Sequence, residues 1–157
     1  MRLNCSSCWL LALSLLAGLT GSAQAQARFS YSTHGSEVTD SKTGLIWQRC
    51  SAGQHWSGST CTGTATAYTH EAALTYAQNQ TGWRLPNAKE LSSLMDRTVT
   101  STSIDSVAFP ATSSGIYWST TPSVGKEGLV KCVYSAYGIG DCIRGDLYSI
   151  IQVRLVR

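Results

Sequence analysis

An apolar run over residues 8–19, interrupted by Ser14 and Gly18, follows Arg2 and gives way to Ala23-Gln24-Ala25 and Ala25-Gln26-Ala27. A basic start, a short apolar stretch and an A-x-A exit describe a secretory signal peptide over residues 1–25, cleaved after Ala25 or Ala27. The run is shorter than the ~20 continuous apolar residues of a membrane anchor. An exported chain folds where thiols oxidise, to the periplasm side of the inner membrane or beyond, at the cell surface. Cys5 and Cys8 leave with the leader, and Cys50, Cys61, Cys132 and Cys142 remain. An even set of this kind reads as two disulfides. Three pairings are possible; two local loops, Cys50–Cys61 and Cys132–Cys142, are expected because each pair brackets a Gly/Ser-rich stretch that can turn back. A zinc site is disfavoured, since no C-x2-C or H-x3-H spacing occurs.

Residues 28–157 are expected to form one domain, a length that a single core serves. Charged residues make up 13% of the chain, about half the ~25% usual for soluble domains. Five Trp and seven Tyr supply more burial than a disordered chain has. The net charge of +3 comes from singly scattered cations, so nucleic acid is not expected as a partner.

Residues 38–48 read as a hairpin. Asp40 is placed to accept hydrogen bonds from turn amides, and Gly44 can take positive φ. Residues 49–63 follow as a polar loop containing His55 and Trp56. A helix is expected over residues 68–80, with Thr69 as N-cap, Ala73, Tyr76 and Ala77 on its inner face, and Gly82 as its stop. A second helix starts at Asn87, where Glu90 completes a capping box. It buries Leu91, Leu94 and Met95 and ends near Asp96. Pro86 keeps Leu85 extended between the two helices. Phe109 is the expected anchor of the Ser/Thr-rich stretch that follows. Strand patterns cover residues 116–121, 129–135 and 148–156. Two helices in one block followed by antiparallel strands make an α+β domain.

Catalytic patterns are missing. No G-x-S-x-G turn, phosphate loop or dinucleotide fingerprint occurs, and His34, His55 and His70 share no ligand spacing. His70 and Glu71 are adjacent on a helix and point apart, so they read as a solvated first-turn pair. The chain is therefore expected to be no enzyme and to need no cofactor or metal.

Several segments together are distinctive: Val38-Thr39-Asp40, then Thr43-Gly44-Leu45-Ile46-Trp47-Gln48-Arg49, and above all Trp83-Arg84-Leu85-Pro86-Asn87-Ala88-Lys89-Glu90-Leu91. Phe109-Pro110, Tyr117-Trp118-Ser119-Thr120 and Val153-Arg154-Leu155-Val156-Arg157 complete the set. In this order, over residues 37–157, the chain resembles the Lcl C-terminal domain family, named after the C-terminal domain of a bacterial collagen-like surface adhesin. The resemblance implies a C-type-lectin-like α+β fold with two helices, an antiparallel sheet, and N- and C-terminal strands adjacent. It also implies an adhesin-type role, since the naming domain is associated with sulfated glycosaminoglycans and trimeric assembly.

Two departures matter. Members of the family often carry cysteines where this chain has Ala77 and Leu155, so an apolar contact is expected in place of a helix-to-strand disulfide. The E-P-N and W-N-D motifs of calcium-dependent lectins are absent, so sugar binding through calcium is not expected. Trp47, Trp83 and Trp118 read as core, and Arg84 as a structural ion-pair or carbonyl-binding residue. The candidate ligand surface is the stretch 122–147, where Lys126, Lys131, Tyr134, Tyr137 and Arg144 mix cations and aromatics in a way suited to acidic glycans. The leading reading is an exported binding module. The alternative is a structural or protein-interaction subunit of a pilus or envelope assembly. An enzyme of the formylglycine-generating type would require reactive cysteines.

Overall fold

The computed structural model describes residues 27–96, 104–112, 114–135, 138–143 and 151–157. Strands β1 (Phe29–Tyr31), β2 (Glu37–Asp40) and β3 (Ile46–Gln48) form an antiparallel three-stranded sheet in that order. A small hairpin follows, β4 (His55–Trp56) with β5 (Cys61–Thr62), and then helices α1 (His70–Gln78) and α2 (Ala88–Ser93). Strands β6 (Ile116–Pro122), β7 (Leu129–Tyr134), β8 (Gly138–Ile143) and β9 (Ile151–Gln152) build a second sheet in the order β8-β7-β6-β9. The fold is α+β, as the sequence leads one to expect. The second sheet is mixed, however: β9 runs parallel to β6. After β9 the chain pairs with the first sheet. Ile46 and Arg157 exchange both backbone hydrogen bonds at 2.9 Å, and Gln48 N donates to Leu155 O. The closing segment therefore neighbours β3, with β1 on the far side of β2.

Alternate residues of a strand face opposite sides of its sheet, and here both sides are buried. Trp118, Cys132 and Leu155 enter one core cluster with Ala73 and Ala77 of α1. Their chain neighbours Tyr117, Val133 and Val156 enter a second cluster with Leu91 and Leu94 of α2, Phe109, Val38 and Trp47. This two-sided burial explains why the strands read as near-continuous apolar runs. Ala77 and Leu155 are both buried members of the first cluster.

Local signals are realised closely. Thr69 caps α1, its side chain accepting from Ala72 N. Asn87 and Glu90 form a reciprocal capping box on α2, though α2 ends at Ser93, three residues before Asp96. Arg84 clamps Glu90 with two 2.8 Å hydrogen bonds, so the capping carboxylate is also an ion-pair partner. That hydrogen bonding outweighs burial and holds the Glu90 carboxyl below its ordinary pKa.

The hairpin turn is organised by Asp40, which is fully buried. Its carboxylate accepts from Lys42 N at 3.0 Å and Thr43 Oγ1 at 3.2 Å, and Gly44 takes φ +73°. Arg28 adds a two-point clamp at 2.9 and 2.7 Å and also donates to Ser93 O, tying the turn to the end of α2. Burial alone would raise the Asp40 carboxyl pKa. The hydrogen bonds from Arg28, Lys42 N and Thr43 outweigh it, and the net direction is down. A carboxyl with a depressed folded pKa stabilises the fold above its unfolded value and loses that contribution as pH falls. Stability is accordingly expected to decline below about pH 4. Asp40→Asn is expected to lose about 1.5–3 kcal/mol at neutral pH and to show a shallower acid decline, both measurable by urea unfolding across pH.

His70 departs from expectation. It is buried, its Nε2 lies 3.0 Å from Ser119 O, and its ring packs edge-on to Trp118 at 5.2 Å. A carbonyl only accepts, so Nε2 carries the proton. The Thr69 cap sets residue 70 at the first helical position facing β6, whereas Glu71 points outward.

Candidate ligand-binding groove

Both disulfides are formed, Cys50–Cys61 and Cys132–Cys142. The first closes a loop over the β4–β5 hairpin and so sets Trp56 against the body of the domain. Arg49, next to Cys50, is 7% exposed. It donates to the carbonyls of Ala108 (2.8 Å), Gly35 (2.7 Å) and Val107 (2.6 Å), while its guanidinium lies 4.0 Å from the Trp56 ring centre. Trp56 is thus stacked on a rigid cation. Gly35 packs on its indole edge: a Cβ there would come within 3.2 Å of Trp56 Nε1, and φ is +71°. Gly35→Ala is therefore expected to cost about 1–2 kcal/mol and to change the Trp56 environment, seen as a shift in tryptophan emission.

Trp56 forms one wall of a groove of about 280 Å³. Tyr76 of α1, with Gln80 and Trp83 beyond that helix, also lines it; Glu37, Gln48 and Gln54 border it from the first sheet and the disulfide loop. Trp83 is half-buried at the edge of the first core cluster, and Arg157 covers one face of its ring at 4.6 Å. Arg157 also pairs with Glu37 at 2.7 Å, which offsets the Glu37 charge at the rim. Burial raises the Tyr76 hydroxyl pKa, so this group stays a protonated donor. His55 is exposed, with Nε2 2.8 Å from Thr62 Oγ1. Chain positions 37, 48, 54, 56, 76, 80 and 83 share no motif spacing, and only the fold brings them together.

The cation-rich surface expected near residues 122–147 is arranged differently. Lys126 and Lys131 converge on one carboxylate, Asp141, each at 2.6 Å, and Ser123 donates to the same group at 2.5 Å. These hydrogen bonds hold the Asp141 carboxyl well below the usual carboxylate range. An incoming anion would have to compete with Asp141 for both lysines. Tyr134 lies beside the second disulfide, its hydroxyl 3.7 Å from Cys142 Sγ. Tyr137 and Arg144 lie outside the described residues. Among the described residues, no group of three His, Cys, Asp or Glu could hold a metal ion, and no helix is long and apolar enough to cross a membrane.

Fold and groove together define an α+β domain stapled by two disulfides, with an aromatic and amide-lined cleft between its first disulfide loop and α1. The chain matches the Lcl C-terminal domain over residues 36–157 and belongs to that family. No curated protein and no solved structure matches it.

Proposed function

We propose that the protein is an exported, non-enzymatic binding module of the adhesin type, built on a C-type-lectin-like scaffold and recognising glycans. Two disulfides support export, since such bonds persist in oxidising compartments. Family membership supports an adhesin-associated role. The observation that carries the reading is the groove, where Trp56, Tyr76 and Trp83 border a polar cleft together with amide side chains. Ligand sites combine apolar rings with a few orienting polar groups in this way. Titration of the oxidised protein against a panel of neutral and sulfated glycans, at low and high salt, tests it. Saturable binding is expected; no binding to any member of the panel would remove the reading.

A subunit of a pilus or envelope assembly is the second reading. Among the described residues β8 forms the outer edge of its sheet, and Ile139 on it is 43% exposed. Open strand edges accept partner strands, so this reading gains if the glycan panel is silent and Ile139→Lys abolishes assembly.

A further inference from the structure

We propose that the Trp56–Trp83 groove selects an uncharged oligosaccharide, with Tyr76 dividing two sugar subsites; this rests on the glycan-binding reading above. The argument is one of matched and unmatched groups. The ionised side chains at the groove are already neutralised, Glu37 by Arg157. Among the described residues, the groove groups without a hydrogen-bond partner include only neutral side chains: the amides of Gln48 and Gln80, the Tyr76 hydroxyl and Trp56 Nε1. An amide both donates and accepts, which suits adjacent sugar hydroxyls that do the same. A sulfate, having only acceptors, would meet the amide oxygens unfavourably.

The indoles supply the second half of the chemistry. The C–H face of a pyranose is apolar and slightly electropositive, and it packs on the negative face of an aromatic ring. Arg49 and Arg157 hold Trp56 and Trp83 from one side, so the platforms are ordered before a ligand arrives and little conformational entropy is lost on binding. Tyr76 also borders a second, shallower depression with Thr75 and Asn79 on the outer face of α1. One ring shared by two adjoining depressions suits a ligand longer than a single sugar unit.

The test is calorimetric titration of the oxidised protein with cellohexaose, maltohexaose, chitohexaose, the corresponding monosaccharides and heparin. At least one uncharged hexasaccharide is expected to bind more tightly than its monosaccharide, with affinity changing less than about twofold between low and high salt, because no ion pair is screened. Tyr76→Ala and Trp83→Ala are expected to weaken binding about tenfold. Trp83→Phe, which keeps a stacking ring, should stay within about threefold of the parent and so controls for misfolding. Lys126→Ala and Lys131→Ala should leave affinity unchanged. Binding confined to heparin, steeply salt-dependent and lost in the lysine variants, would overturn this inference and leave the glycan-binding reading standing. Silence toward every saccharide would overturn both.

Discussion

Replacing Arg154 with alanine is expected to destabilise the domain by about 3–5 kcal/mol, because stranding buried acceptors costs about 1–3 kcal/mol each and truncation of the side chain leaves a void besides. Arg154 is 1% exposed. One nitrogen donates to the carbonyls of Gln48 and Arg49, the other to Ser51 Oγ at 3.1 Å and Thr112 Oγ1 at 2.8 Å. Phe109 and Tyr117 lie against the guanidinium at 4.8 and 5.6 Å. Burial pushes its pKa down, yet a guanidinium stays charged. Alanine would leave a cavity and strand the two carbonyls that join β3 to the disulfide loop. Lysine keeps the charge but not the planar fork, so Arg154→Lys should recover only part of the loss. Against a usual total of about 5–15 kcal/mol, the alanine variant should keep its fold at ambient temperature but unfold at a much lower urea concentration. Urea unfolding followed by tryptophan emission measures this, and a loss below about 1 kcal/mol would show that the network is not what joins the closing segment to β3.

The second large effect separates the two disulfides. Cys50→Ser/Cys61→Ser and Cys132→Ser/Cys142→Ser each open a loop of similar size, with sequence separations of 11 and 10. Each double variant should therefore lose a comparable ~2–3 kcal/mol through the freed unfolded chain. Function should divide them. The first bond holds the β4–β5 hairpin that presents Trp56, so its loss should also abolish glycan binding. The second joins β7 to β8 inside the core and lies away from the groove, so binding should survive at temperatures where the variant is folded. Thermal unfolding and titration on the same samples distinguish these outcomes. Equal loss of binding in both variants would argue that the groove depends on global stability alone.

Much of the architecture is legible because it is encoded within a few residues. The Thr69 cap, the Asn87–Glu90 capping box, the Asp40 turn and both disulfide pairings rest on groups at most about a dozen positions apart. β1 and β8 carry weaker signals. β1 is three residues long and gains its pairing from β2. β8 opens on Gly138 and contains Gly140, whose bare Cα faces Tyr134: a Cβ there would come within 2.5 Å of that ring. Glycines that look like turn punctuation are, at residue 140, what lets an aromatic cross the strand.

The groove was not legible. Trp83 sits in an extended apolar segment, a context that predicts burial, and the Arg157 guanidinium that covers one face of its half-buried ring comes from the last residue of the chain. The pairing of Lys126 and Lys131 was no more legible: Asp141 faces Lys131 through the β7–β8 register, and Lys126 reaches it from the connection between β6 and β7.

From the sequence come the α+β class, the helix starts, the hairpin turn and the family, because capping and turn geometry are satisfied by neighbours along the chain; the sequence favoured two local disulfides among three pairings, and the structure selects them. Tertiary structure alone decided the parallel placement of β9, the burial of His70 and Arg154, the neutralisation of the lysines and the assembly of the Trp56–Trp83 groove. Each of these depends on which side chains meet across sheets, and such meetings are set by strand order and by the burial of both sheet faces.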